Sequence, residues 1–136
     1  MEIQDQIRED SWPVAIVRLD NTISEAFMKA FLHQWTEWLN RDEPFGMLCF
    51  YEGTDSKQSG EVKKMRKQWL KENRALIRKN MAGMAMVVKA SSLVKMMRPI
   101  ANTMAPKVFG CPARIFTWAE QEEANEWLQN QIAAFR

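Results

Sequence analysis

An α/β domain built on a mainly parallel sheet of four or five strands flanked by helices is what this sequence predicts, on three observations. Apolar runs of strand length alternate four times with amphipathic stretches of helix length. The apolar runs lack strict alternation, as expected of strands buried on both faces of a helix-covered parallel sheet. No repeat, low-complexity tract or Pro/Gly-rich linker divides the 136 residues, so one domain spanning residues 1–136 with a real core is expected.

The first strand is expected over Pro13 to Leu19, where Val14, Ile16 and Val17 favour extended backbone. Asn21, Thr22 and Ser24 offer caps for a helix of about Ser24 to Asn40. Its apolar stripe is Phe27, Ala30, Phe31, Trp35, Trp38 and Leu39, at spacings of three and four. Glu43-Pro44 ends it, and Phe45 to Tyr51 reads as a second, nearly all-apolar strand. The polar segment Glu52 to Gly60 is a loop, and a long helix follows from about Glu61 to Asn80, burying Val62, Met65, Trp69, Leu76 and Ile77. Ala82 to Lys89 is the third strand. Ser91 or Ser92 caps a third helical region, which Pro99 must start, kink or interrupt. Gly110-Cys111-Pro112 is a turn, Ala113 to Trp118 a fourth strand, and Ala119 to Phe135 the last helix. Residues 2 to 10 give only a poor signal for an added edge strand.

Composition bounds the class. A hydrophobic fraction of 46% and a charged fraction of 26% match a soluble globular protein. Six Trp and seven Phe against one Tyr assign most rings to packing. The acidic, polar start predicts no signal peptide, and the apolar runs fall far short of the roughly 20 residues that span a bilayer. Cys49 and Cys111 make no disulfide framework in a chain this long, so a bacterial-type cytoplasmic protein with reduced thiols is the expectation.

Charge is segregated. Residues 62 to 107 hold twelve basic residues and one acid, +11, whereas residues 1 to 61 carry −7 and residues 108 to 136 carry −2. Such asymmetry points to an anionic partner, or to one part of the chain meeting another. Most of the cations fall on the long helix, whose basic face comprises Lys63, Lys64, Lys67, Lys71, Arg74 and Arg78. Its single ring, Trp69, shares a side with Val62, Met65 and Leu76, which argues against a stacking platform for nucleic acid. The acidic N-terminal half offers a counter-surface, in the same chain or in a homodimer mate. Anionic lipid is the other candidate, because cations flanking an apolar face suit a membrane surface.

Chemistry is sparse. His33 lies off the apolar stripe of its helix and reads as a surface residue. One His and two distant Cys make no zinc site, and no GxxxxGK[ST] or GxGxxG phosphate loop occurs. Asp42-Glu43 and Glu122-Glu123 read as solvated acids. Lys107 and Arg114 lie near Cys111 in sequence, and neighbouring cations lower a thiol pKa, which is the sole pointer to a reactive group. No catalytic residue, cofactor or metal is assigned, and the expectation is a protein that is not an enzyme. A methionine-rich segment suggests instead that Met96, Met97, Ile100 and Met104 line a ligand or partner groove, with Lys95 and Arg98 at its mouth.

The basic helix, the strand MAGMAMVVK, the Met- and Ala-rich helix and the closing ARIFTWAEQEEANEWL together resemble the SpoIIAA-like group of STAS-type bacterial proteins, over roughly residues 62 to 135. Arg114, Ile115 and Phe116 stand for the strand, and Glu122, Glu123, Ala124, Trp127 and Leu128 for the closing helix. The resemblance implies the same α/β architecture and a non-catalytic regulatory or protein-binding module. Relatives include anti-sigma-factor antagonists, and lipid carriers of the CRAL-TRIO kind share a similar architecture. Hence a carrier or sensor of a fatty acid or phospholipid is the alternative. Antagonists carry a phosphorylatable Ser in a loop entering a helix, and the nearest equivalents here are Ser56 and Ser59.

Overall fold

The computed structural model describes residues 6–19, 22–51, 57–89 and 92–135, with the backbone alone for residues 22, 57, 58 and 92–97. In chain order the elements are β1 (Ile7–Arg8), β2 (Val14–Leu19), β3 (Thr22–Ile23), α1 (Glu25–Leu39), β4 (Phe45–Tyr51), β5 (Lys57–Gln58), α2 (Gly60–Asn80), β6 (Met81–Val88), α3 (Ser92–Phe109), β7 (Ala113–Thr117), a 3-10 turn (Trp118–Glu120) and α4 (Gln121–Ala134). The five-stranded sheet has the order β1-β2-β4-β6-β7, with β1 antiparallel to β2 and the other pairs parallel. β3 and β5 form a separate parallel pair.

Each crossover from β2 onward steps one strand in the same direction. Right-handed crossovers then put all three connecting helices on one face. The core bears this out. Ala15, Val17, Met47, Cys49, Met84 and Met86 of the sheet pack with Phe31 and Trp35 of α1, Val62, Leu70 and Ile77 of α2 and Ala105 of α3. The intervening residues, Val14, Leu48, Phe50, Ala85, Val87 and Phe116, pack with Ala124 and Leu128 of α4 on the opposite face. Alternate side chains thus enter two cores, which is why the strands read as apolar runs without alternation. Where α4 crosses the sheet it touches glycine: a Cβ on Gly46 would lie 2.6 Å from Leu128 Cδ1.

Local chemistry sets the helix ends. Ser24 Oγ accepts from Phe27 N at 3.0 Å and Ser59 Oγ from Val62 N at 3.2 Å, each an N-cap. The carbonyl of Leu39, at the end of α1, accepts from buried Asn80 Nδ2 at 2.7 Å. Gly110, with φ +84°, makes the turn after α3.

The N-terminal segment docks on the end of α1. Glu9 accepts from Trp38 Nε1 at 2.9 Å and pairs with Arg41 at 2.7 Å, and Trp12 Nε1 donates to Glu43. The edge strand only weakly signalled in residues 2 to 10 is therefore formed, as β1. Two further expectations shift. Trp118 lies in the 3-10 turn rather than at the end of the strand, because Glu120 accepts from the backbone and hydroxyl of Thr117 and closes the chain there. α3 continues through both Pro99 and Pro106. Its Asn102 side chain accepts from Ile115 N at 2.8 Å and so occupies a donor of the edge strand β7.

Candidate functional site

α2 buries Val62, Leu70 and Ile77 against the sheet and turns its cations outward. Trp69 belongs with the buried side: its ring lies 4.4 Å from that of Trp35, and Nε1 donates to Thr36 Oγ1 at 2.9 Å. Beyond the buried side, α2 and α3 leave a groove of about 560 Å³ lined by Lys63, Arg66, Lys67, Leu70, Lys71, Arg74, Lys107 and Val108. Six cations converge there, and among the described residues no carboxylate lines it. Arg74 Nη2 donates to the Lys107 carbonyl at 2.8 Å, tying the two walls together. Leu70 is buried, whereas Val108 is half exposed at 52%. The groove therefore offers a dense positive potential with an apolar component, a setting that binds an anion carrying apolar surface.

The sequence-derived basic face is divided by the fold. Lys63, Lys67, Lys71 and Arg74 line the groove, while Lys64 and Arg78 are exposed and do not line it. Lys107, Val108, Arg66 and Leu70 were not assigned to any site from the sequence. Lys107 is 33 positions from Arg74, so helix periodicity alone could not join them.

Of the expected methionine groove, Ile100, Met104 and Arg98 have described side chains. Ile100 is 63% exposed and Met104 is 52% exposed, so they stand on the surface of α3 rather than within an enclosed pocket. The cause is that Asn102 and Ala105 take the sheet-facing side of α3. Arg98 pairs with Glu120 at 3.1 Å and ties α3 to the turn after β7. Hydrogen bonds from Thr117 first, and then from Arg98, hold the Glu120 carboxyl below the usual range. The side chains of Lys95, Met96 and Met97 lie outside the described residues, as does Ser56. Ser59 is exposed and caps α2, four residues before Lys63.

Cys111 is buried, and burial pushes its thiol up to about 12. This reverses the sequence expectation that nearby cations would lower it, because desolvation of the thiolate dominates. Cys49 is likewise pushed to about 12, by burial first and then by Cys111. Beneath α1 lies an apolar cavity of about 40 Å³, with Phe31, Trp35, Cys49, Tyr51 and Phe109 in its walls and Arg66 at its edge. Pockets that hold small ligands run to roughly 300–1,000 Å³, so this one does not accommodate an acyl chain. His33 is exposed. Among the described residues no group of three or more His, Cys, Asp or Glu is placed to hold a metal ion, and no helix is long and apolar enough to cross a membrane.

A family model described as SpoIIAA-like matches residues 14–129. The match runs from the start of β2 into α4 and includes the groove, and such membership suggests a non-catalytic regulatory module that interacts with proteins. No curated protein and no solved structure matches the chain. With the expected parallel sheet in place and most of the chain matched, the protein belongs to the SpoIIAA-like family.

Proposed function

We propose that this protein is a non-catalytic regulatory module that docks an acidic protein partner in the groove between α2 and α3. The observation that carries this reading is the convergence of Lys63, Lys67, Lys71, Arg74 and Lys107 on a groove of about 560 Å³ with no carboxylate among its described lining residues. Cations facing one another repel, and an anionic partner relieves that repulsion while speeding encounter.

Three acids of the N-terminal half are already paired within the chain, which favours a partner other than a second copy docking through them. Glu9 is engaged by Arg41, Asp10 by Arg8 and Asp42 by Lys79. The test is affinity capture with the wild-type chain and with the Lys67→Glu/Lys71→Glu variant, followed by reconstitution from purified components. The wild type should retain a stoichiometric protein whose affinity falls at least tenfold in the variant and falls with salt. Reconstituted binding that ignores both changes would sink the reading.

Carriage of an anionic amphiphile is a second reading, favoured by Arg66, which lines both the groove and the apolar cavity. The cavity's volume of about 40 Å³ weighs against it. Native mass spectrometry decides the matter: a retained lipid mass supports carriage, and a bare protein mass removes it.

A further inference from the structure

We infer that the groove receives an acidic amphipathic α-helix of the partner. The inference rests on the docking role proposed above and specifies the shape of what docks.

α2 and α3 each lead from the end of one parallel strand to the start of the next, so they run in the same direction. The hydrogen bond from Arg74 to the Lys107 carbonyl, and the approach of Arg74 to Gly110, set the last turns of the two helices side by side. One wall carries a cationic row, Lys63, Lys67 and Lys71. The neighbouring helix carries an exposed apolar row, Ile100, Met104 and Val108. Both rows repeat every four residues, about 6 Å of helix.

An occupant matching both rows needs acids on one side and apolar groups on the adjacent side. An amphipathic helix presents such neighbouring faces with the same repeat. An extended strand puts alternate side chains on opposite faces, so it satisfies one row and turns the other away. A bilayer is flat and meets the exposed α3 row, but it leaves unfilled the groove that reaches down to buried Leu70. Single-stranded nucleic acid asks for stacking rings, and the ring of α2, Trp69, is committed to Trp35 and Thr36.

The probe is a fluorescein-labelled, stapled helical peptide of about four turns, with Glu in one row at four-residue spacing and Leu in the adjacent row. A permuted peptide of the same composition lacks the two faces. Vesicles of phosphatidylcholine with phosphatidylserine represent the membrane. Fluorescence anisotropy should give micromolar binding of the periodic peptide at 0.1 M salt. Binding should weaken at least tenfold for the permuted peptide, for Lys67→Glu/Lys71→Glu and for Ile100→Ser/Met104→Ser. The last pair is exposed, so circular dichroism should report an unchanged fold. Equal binding of both peptides removes the helix while leaving a basic docking groove. No binding of the periodic peptide at about 1 mM, or vesicle binding that the peptide does not compete away, overturns the inference. Failure of the reconstituted partner to respond to charge reversal would instead count against the docking role itself.

Discussion

Leu128 of α4 rests directly on the backbone of Gly46 in β4, so closely that a Cβ at position 46 would lie 2.6 Å from its Cδ1 and 2.7 Å from its Cγ. Leu128 is fully buried and has little room to retreat. Gly46→Ala should therefore destabilise the protein by about 1–3 kcal/mol through overpacking. Urea denaturation measures this. Leu128→Ala alone should cost about 2–5 kcal/mol through its cavity. The double variant should be less destabilised than the sum of the two, because the added methyl occupies vacated space. Additivity would show that α4 shifts freely over the sheet.

Asn80 closes α1 from the neighbouring helix by donating to the Leu39 carbonyl. Asn80→Ala leaves that acceptor unpaired in the core and should cost about 1–3 kcal/mol. Asn80→Asp should cost more, since it sets a carboxylate against a carbonyl in a buried site. Thermal melts at neutral pH give the order, and an aspartate variant as stable as wild type would contradict the assignment.

Both thiols are raised from 9.0 to about 12, chiefly by burial. A raised folded pKa stabilises the protein below the unfolded value, and that stability is lost as pH climbs from about 9 toward 12. Above pH 9 the unfolded chain releases protons that the native chain keeps, so stability falls by up to about 1.4 kcal/mol per pH unit for each thiol. Cys49→Ala and Cys111→Ala should each flatten the alkaline limb of the stability curve. In the native state at pH 7.5, neither cysteine should react with a disulfide reagent until urea opens the fold.

The groove is expected to lower stability while serving binding. Lys67→Gln and Lys71→Gln remove like charges from a wall whose described lining residues include no acid, so calorimetry should show unchanged or slightly higher stability, within about 0.5 kcal/mol each. Added salt should raise the melting temperature of the wild type more than that of the double variant. A clear loss of stability in these variants would mean that the lysines hold the fold together.

Much of the architecture was legible because apolar period and end signals coincide. Val14 to Leu19, Phe45 to Tyr51 and the buried side of α2 follow from period and β propensity. The edge strand β1 was barely legible, since two residues carry no period and Trp38 and Arg41, which anchor Glu9 beside it, lie far along the chain. The cationic wall could be read from the four-residue spacing of Lys63, Lys67 and Lys71. Lys107 and Val108 could not, because the crossover through β6 brings α3 beside α2. The apolar character of Ile100 and Met104 is legible, but their exposure on α3 is not. The hydrogen bond from Ile115 to Asn102 turns them outward, and a polar residue on the sheet-facing side of a helix is a signal that composition conceals.

The one-way order of the parallel strands has a consequence for synthesis. Three helices assemble on one side of the sheet as the chain is made, while the other side keeps Leu48, Phe50, Ala85 and Val87 open to water until α4 appears. A nascent chain that has reached β7 is thus half covered and sticky. Residues 121–134 act as its last shutter, so a ribosome stalled before them should hand this chain to chaperones.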